Sequence, residues 1–587
     1  MGIERINRNN SKFNYRGAEW WLFALFFMLL CSKNCIFHAL VFASSMHNGF
    51  WQYILSQIAI PLLLASFVLV TRTYWWTLIV LILADVWTIA NWLYYLANGL
   101  FLSLSIIKVS GNLNGFADSI MLYSDWRLLL FVIPTLVYGI LLFLFPLKSE
   151  RRYIPFVALL VTSLFMMGLN NMIIHIVRVE RGDEEGELSI EKCMPLYINE
   201  ERMIIDFESE YSLVQEHSIL ADLPLVIVYE YKMQRYRDSM PKGTFSESEK
   251  ELLHHLLKEN ISQPHPIGNL VIIIVESLES WTFHYSGVIP HLTELLQESH
   301  TLYADKVQSQ VRHGVSGDGQ MIINTGLLPL QTGAACILYG DNVFPNIAGQ
   351  YPASAVINPT KGTWNQSVVS PAYGFQELFE PNTPLVRQWW TDAEVFSKLW
   401  EWVDRQDTLF CAQAITIASH APFNRVTGTL EAITPDTPDE MRRYLTCLHY
   451  TDSCFGVFMD SMRTNGKLEN TTLLVTGDHI VFHKDKLDAF HDYAVGHNLS
   501  ISEGNNYVPL LISSPSIAGP MGVDSMCYQM DIFPTVMHCI GCDGYFWKGF
   551  GVPLSDIYDG QNRPITDHDA YILSEKLIRS NYFKYAN

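Results

Sequence analysis

A hydroxyl, two carboxylates and two imidazoles stand at the ends of apolar runs in this sequence. Glu276 follows 269–275, Ser316 precedes 321–330, His420 follows 410–418, and the pair Asp478-His479 follows 472–476. Glu276, Asp478 and His479 offer a divalent metal two carboxylates and an imidazole, and Ser316 can be the fourth ligand. A metal there would lower the hydroxyl's pKa, making it a nucleophile, and would polarise a phosphoryl oxygen. His420 is then left to protonate a leaving group. Ser316 lies in His313-Gly314-Val315-Ser316-Gly317-Asp318-Gly319-Gln320. Gly317 and Gly319 let the backbone come close to a ligand. A helix starting here would turn free N–H groups and partial positive charge toward an anion such as phosphate. The plainer alternative is a serine N-cap with a glycine-rich turn. His313, His483, His491 and His497 are read as structural or solvent-facing.

These groups need a scaffold that brings distant residues together. The run 269–275 (N-L-V-I-I-I-V) reads as a strand buried on both faces. Further strands are expected at 353–357, 410–417, 472–476 and 508–513, with helices at 392–403, 439–462 and 530–540 between them. The alternation implies an α/β domain with a mainly parallel central sheet over 266–587. In such sheets ligands sit beyond the carboxyl ends of the strands, where Glu276, His420 and Asp478-His479 stand.

The N-terminal part is of another kind. Only 17% of the 587 residues are charged, against roughly 25% in ordinary soluble domains. Five apolar segments, 18–43, 51–71, 74–97, 127–146 and 153–177, are each long enough to cross a bilayer. Aromatic residues such as Trp20, Trp51, Trp75, Trp126 and Tyr153 flank them. Residues 1–177 are therefore expected to form a transmembrane domain of five helices, its first segment a retained anchor rather than a cleaved leader. Arg5, Arg8, Lys12 and Arg16, then Arg72, then Lys148, Arg151 and Arg152 fall on one side, which should be the cytoplasm. Five crossings put the α/β domain outside. Lys33 and Asp85 lie within apolar segments, where a charge is costly; they either pair or Lys33 snorkels. Residues 178–265 read as a juxtamembrane connector. A net charge of -20 argues against nucleic-acid binding. Ten scattered cysteines give no zinc framework; C-I-G-C at 539–542 reads as core, and one or two disulfides are conceivable if the domain is extracytoplasmic.

Taken together, strand–Glu276, loop–Ser316, Ser419-His420-Ala421-Pro422-Phe423 and Thr476-Gly477-Asp478-His479 resemble the alkaline phosphatase/sulfatase superfamily. With five membrane segments ahead of them, the chain looks like the lipoteichoic acid synthase family of phosphoglycerol transferases, from the membrane segments to about residue 555. Residues 505–515 and 530–535 carry further stretches of that likeness. The resemblance implies a sulfatase-like α/β domain, with Glu276, Ser316, Asp478 and His479 as ligands of one divalent ion. That ion would be manganese, although the ligand set alone also allows zinc or magnesium. It implies Ser316 as nucleophile in place of the family's usual threonine, and His420 near the leaving group. It places Trp364 and Gln366 at the substrate. The family has Trp-Asn-Arg there, and this chain has Trp364-Asn365-Gln366. Glutamine cannot offer phosphate a charged bidentate contact, so the cation lies elsewhere, with Arg312 and Lys361 as candidates, or the headgroup differs. The implied partners are a phospholipid donor, phosphatidylglycerol, and a glycan or glycolipid acceptor. A sulfate-ester hydrolase is disfavoured, because Ser316 has no following x-Pro-x-Arg. A phosphoethanolamine transferase, or a non-catalytic membrane partner protein with a sulfatase-like domain, are the alternatives.

Overall fold

The computed structural model describes residues 18–42, 53–98, 101–102, 124–144, 151–181, 189, 191–194, 210–239, 245–257, 265–331, 333–382, 389–428, 430–482, 490, 493, 507–554, 563 and 565–585. They divide into two compact units, with the boundary between Gln234 and Arg235.

Among the described residues of the first unit four helices are long and apolar enough to cross a membrane: α1 (Ala18–Val41), α3 (Trp75–Asn98), α4 (Leu129–Leu144, entered through one tighter turn) and α5 (Tyr153–Arg181). Their outer faces expose Trp21, Leu83, Leu136, Phe143, Ile154 and Phe165, a surface suited to acyl chains. The expected second crossing is shorter. It is α2 (Ile54–Ser66), extended by one tighter turn to Leu69, about 24 Å in all. Helix α2 packs against α1 and α5, burying Ala59, Ile60 and Ala65. Lys33 does not snorkel. Its ammonium meets Asp85, and it donates to Thr135 Oγ1 at 2.9 Å and to the Phe131 carbonyl at 3.2 Å, joining α1, α3 and α4. Part of the segment read as a connector also belongs here. Ala221 and Leu225 are buried with Ala59, Ile60 and Met167, while Val214 and Ile219 are buried with Phe37.

Among the described residues the second unit holds nine strands: β1 (Asn269–Val275), β2 (Thr301–Gln308), β3 (Ala353–Ile357), β4 (Glu377–Phe379), β5 (Phe410–Ile415), β6 (Thr471–Gly477), β7 (Val508–Ser513), β8 (Met521–Val523) and β9 (Cys527–Tyr528). The sheet order is β4-β3-β5-β1-β6-β7-β2-β8, with β9 on β2. From β4 to β6 all neighbours are parallel, and β7 alone runs against its neighbours β6 and β2. Every residue of β1 is buried, which is why its β-branched run reads as continuous rather than alternating. On one face, Val271, Ile273 and Val275 pack with Val395, Phe396 and Leu399 of α9 (Asp392–Asp404) and with Tyr444, Leu448 and Phe455 of α10 (Asp439–Thr464). A capping box of Thr391 and Glu394 starts α9. On the other face lies α7 (Ser316–Thr325), whose Asn324 donates to Gln413 of β5 at 2.7 Å. Helix α7 packs in turn on α11 (Ile532–Cys539). Two further helices, α6 (Glu247–Leu256) and α12 (Asp567–Ser580), are linked by Lys576 and Glu249. None of the ten cysteines forms a disulfide, and Cys539 and Cys542 are buried.

The helix expected at the Ser316 stretch starts at Ser316 itself and does not run through the apolar stretch to 330, because Gly326 at φ 67 ends it in the left-handed conformation.

Candidate active site

The register of the three central parallel strands assembles the site. Ile274 of β1 lies level with Ile415 of β5 and Thr476 of β6, so all three strands end together. The residues just beyond are Glu276, Thr416 and Asp478. Glu276 N–H donates to Thr416 Oγ1 at 3.0 Å, and Ser277 N–H donates to Asp478 Oδ1 at 2.8 Å. Glu276, Asp478 and His479 are buried, and their ligating atoms lie within 4.8 Å of one another.

Ser316 reaches this cluster from α7. It is the first residue inside the helix rather than its cap. The cap position is Val315, at φ 43, where a β-branched residue is strained, and no side chain caps the helix. The Ser316 hydroxyl instead donates to Glu276 Oε2 at 3.4 Å. The expected anion-binding N–H groups are already used. Those of Gly317, Asp318 and Gly319 donate to the carbonyls of Gly314 and Val315. The buried Asp318 carboxyl turns back instead to accept from Arg312 N–H and Gly314 N–H at 2.9 Å each, and burial pushes its pKa up to about 7.

Gly319 is required by proximity. A Cβ there would stand 2.5 Å from the Asp478 carbonyl oxygen. Gly319→Ala is therefore expected to push α7 off the end of β6 and weaken binding of a divalent ion at least about tenfold. Ion titration checks this; wild-type affinity in the variant would show that the close approach is dispensable.

The cluster suits a divalent cation. His479 Nε2 lies 3.4 Å from Glu276 Oε1 and 3.5 Å from Asp478 Oδ2. Ligands ~2.1 Å from a tetrahedral ion stand about 3.4 Å apart. His479 Nδ1 lies 2.8 Å from the Ile480 carbonyl, so that nitrogen carries a proton and Nε2 faces the carboxylates, as in a metal-binding histidine. Asp478 Oδ2 is buried without a hydrogen-bond partner. The electrostatics express the same demand for positive charge. Burial opposes a charged His479, but Asp478 and Glu276 outweigh it and raise its pKa to about 10. Burial and the Glu276 charge push Asp478 up to about 6. Glu276 is also pushed up by burial, yet the His479 hydrogen bond and the imidazoles of His420 and His479 bring it down to about 2.

The remaining residues fall in different places. His420 is held by Nδ1, 2.6 Å from the Ala421 carbonyl, and burial lowers its pKa. Trp364 and Asn365 form a left-handed pair, φ 50 and 56, before α8 (Gln366–Ala372). That turn sets the Trp364 ring against Gly317: a Cβ at 317 would lie 3.3 Å from it. Gln366 is buried between α7 and α8. Its amide donates to Gln320 Oε1 at 2.5 Å and accepts from the Ser370 hydroxyl at 2.9 Å. The Arg312 guanidinium lies 4.9 Å over Tyr571, and Lys361 donates to the Asn382 carbonyl at 3.3 Å. His313 is buried, and His483, His491 and His497 lie outside the described residues.

Sequence reasoning missed the supports. The Ser419 hydroxyl donates to the Glu276 carbonyl, and Gln529 donates to the Asp478 carbonyl at 2.7 Å. Glu279 accepts from the N–H groups of Val481 and Phe482 at 2.7 and 2.8 Å, anchoring the segment after His479. Their partners are main-chain atoms far along the chain, so residue type gave no signal.

Helices fit to cross a bilayer, followed by a mostly parallel sheet with a serine–carboxylate–histidine centre at its strand ends, define a membrane protein with a sulfatase-type domain. Residues 268–542 match the Sulfatase family and residues 5–182 match the Lipoteichoic acid synthase N-terminal domain. The chain is 21% identical over 365 residues to lipoteichoic acid synthase 2 of Bacillus subtilis (strain 168), covering 57% of this chain and 54% of that one. It is 20% identical over 559 residues to lipoteichoic acid synthase of Staphylococcus aureus (strain USA300), covering 91% and 82%. The chain thus spans about half the length of the first of these relatives. Among solved structures it is similar to the lipoteichoic acid synthase LtaP from Listeria monocytogenes, with TM-score 0.48, 18% identity, and coverage of 58% and 98%. It is also similar to the Streptococcus pyogenes phosphoglycerol transferase GacH in complex with sn-glycerol-1-phosphate, with TM-score 0.38, 12% identity, and coverage of 58% and 94%. The chain belongs to the lipoteichoic acid synthase-like family of the sulfatase superfamily and is a multi-pass membrane protein.

Proposed function

We propose that this protein is a metal-dependent phosphoglycerol transferase at the outer face of the cytoplasmic membrane. Its donor is phosphatidylglycerol and its acceptor an extracytoplasmic glycan or glycolipid. The observation that carries this reading is the Ser316 hydroxyl standing 3.4 Å from Glu276, in one cluster with Asp478 and His479. A divalent ion held by Glu276, Ser316, Asp478 and His479, manganese on the family likeness, would supply a lowered hydroxyl pKa and charge to offset the phosphoryl oxygens.

The deprotonated Ser316 oxygen attacks phosphorus, the bond to the diacylglycerol oxygen breaks, and that oxygen takes a proton from His420. Phosphoglycerol is left on Ser316. An acceptor hydroxyl then attacks phosphorus, passes its proton to His420, and releases Ser316. In the resting site His420 is neutral, its Nδ1 proton directed at the Ala421 carbonyl. That form suits the second half-reaction, in which the imidazole takes up a proton. The first half-reaction needs imidazolium, which an arriving phosphate anion favours. Trp364, against Gly317, forms a wall for the glycerol, and Gln366, two residues on, ties α8 to α7 through Gln320.

Phosphoethanolamine transfer is the second reading. Gln366 favours it, because a headgroup carrying its own cation needs no guanidinium at that position. The test is release of diacylglycerol from labelled phosphatidylglycerol by the purified protein, stopped by a chelator and restored by manganese. Release from phosphatidylethanolamine alone would select the second reading.

The outer location rests on positive charge at the N-terminus, Arg72 and Arg151-Arg152 together with five crossings, so it depends on α2 being one of them. Impermeant protease added to intact cells is expected to remove a C-terminal tag. A protected tag would place the site in the cytoplasm.

A further inference from the structure

A cation and an aromatic ring flank His420, and neither has a role in the chemistry above. The Trp389 ring meets the His420 ring edge-on, with centroids 6.2 Å apart. The Arg425 guanidinium lies over the same indole, 4.1 Å from its centroid, and Nη1 donates to the His420 carbonyl at 2.7 Å. Both side chains are half-buried. Trp364 belongs to a different wall, against Gly317.

We propose that Arg425, stacked on Trp389, is an acceptor-binding residue that recognises an anionic group close to the attacking hydroxyl, such as a phosphodiester. The assignment rests on the transferase reading. There, His420 serves the oxygen that leaves and then the oxygen that attacks. What lies beside the imidazole is first the departing lipid and then the acceptor. Diacylglycerol is neutral and gains nothing from a guanidinium. An acceptor with a phosphodiester one small unit from its hydroxyl gains a charge-assisted contact from a fork-shaped donor. The indole holds that donor in place by cation–π stacking and offers an apolar edge to a glycerol or sugar ring. The other candidate cations are turned elsewhere: Arg312 to Tyr571 and Lys361 to the Asn382 carbonyl. The buried Asp392 carboxylate beneath this loop already accepts from the Ile417 and Ala418 N–H groups and the Thr451 hydroxyl, so it does not depend on Arg425 for hydrogen bonds.

The test separates the half-reactions in full-length protein, comparing wild type with Arg425→Gln and Arg425→Lys. Without acceptor, the burst of diacylglycerol from phosphatidylglycerol is expected to keep its amplitude in both variants and to be no slower, because loss of the Arg425 charge would raise the His420 pKa rather than lower it. With glycerol phosphate as acceptor, Arg425→Gln is expected to raise KM about ten- to hundredfold, and Arg425→Lys to restore part of the loss. With neutral glycerol as acceptor, the variants should match wild type. Equal losses with both acceptors, or a slowed burst, would overturn the proposal and leave Arg425 as a support for the His420 loop. Absence of any burst from wild type would sink the transferase reading itself, and the acceptor assignment with it.

Discussion

Ser316→Ala is expected to stop diacylglycerol release while leaving the protein folded. The loss should be at least about a thousandfold, because the variant has no oxygen to carry the phosphoglycerol group. The structural cost should be small. The hydroxyl makes a long contact to Glu276 Oε2 at 3.4 Å, also faces the Asp478 carboxylate, and takes no part in capping α7. Its removal fills no space and strands no buried donor, so the stability change should stay within about 0.5 kcal/mol. Glu276, Asp478 and His479 remain, so a bound ion should persist, more weakly. The measurements are label release, thermal unfolding and ion content on one preparation. Mass spectrometry of wild type after exposure to total lipid should find the transferred group on Ser316, and the mass names the headgroup. An alanine variant with wild-type turnover would remove the hydroxyl from this role. Ser316→Thr should keep much of the activity, since it carries the same hydroxyl.

Much of this centre was legible because a parallel sheet puts chemistry at one edge. Runs such as 269–275 and 472–476 can only be buried strands, and the first polar residue after each must emerge at that edge. Glu276 and Asp478 follow from that rule, and the register of β1 on β6 brings them level. The strands missed were those without continuous burial. In β2, Asp305 and Lys306 interrupt the apolar pattern because that stretch is partly exposed, and β9 has only two residues. The orientation of Ser316 was not legible either. It depends on strain at Val315 and on Asp318 turning back to hold Arg312 and Gly314, neither of which has a signature by residue type. Gln366 was legible by position but not by partner: its place beside Trp364 suggests a substrate contact, and the fold also ties its amide to Gln320 and Ser370. The connector was misleading in composition: its mixed polarity hides Val214, Ile219 and Leu225, which are buried among the membrane helices.

The second large effect is expected in the membrane unit. Lys33→Met removes the ion-pair partner of Asp85, whose carboxylate would then lie among α1, α3 and α4 with Thr135 beside it as its remaining side-chain partner among the described residues. Breaking a buried pair in this way costs about 3–5 kcal/mol, since the remaining charge is desolvated without compensation. Exchanging both charges for apolar groups of similar size removes that cost. Lys33→Met with Asp85→Leu should therefore recover most of the stability lost by Lys33→Met alone. Thermal unfolding of the purified protein in detergent gives the comparison, and a single variant as stable as wild type would show that the pair carries no load. The double variant also separates structure from function. The pair joins three helices through the Lys33 contacts to Thr135 and the Phe131 carbonyl, so a structural role requires that the stable double variant keep its diacylglycerol release. A stable double variant that had lost release would instead mean that the charge itself is used within the membrane, the other reason a bilayer-spanning helix retains a lysine.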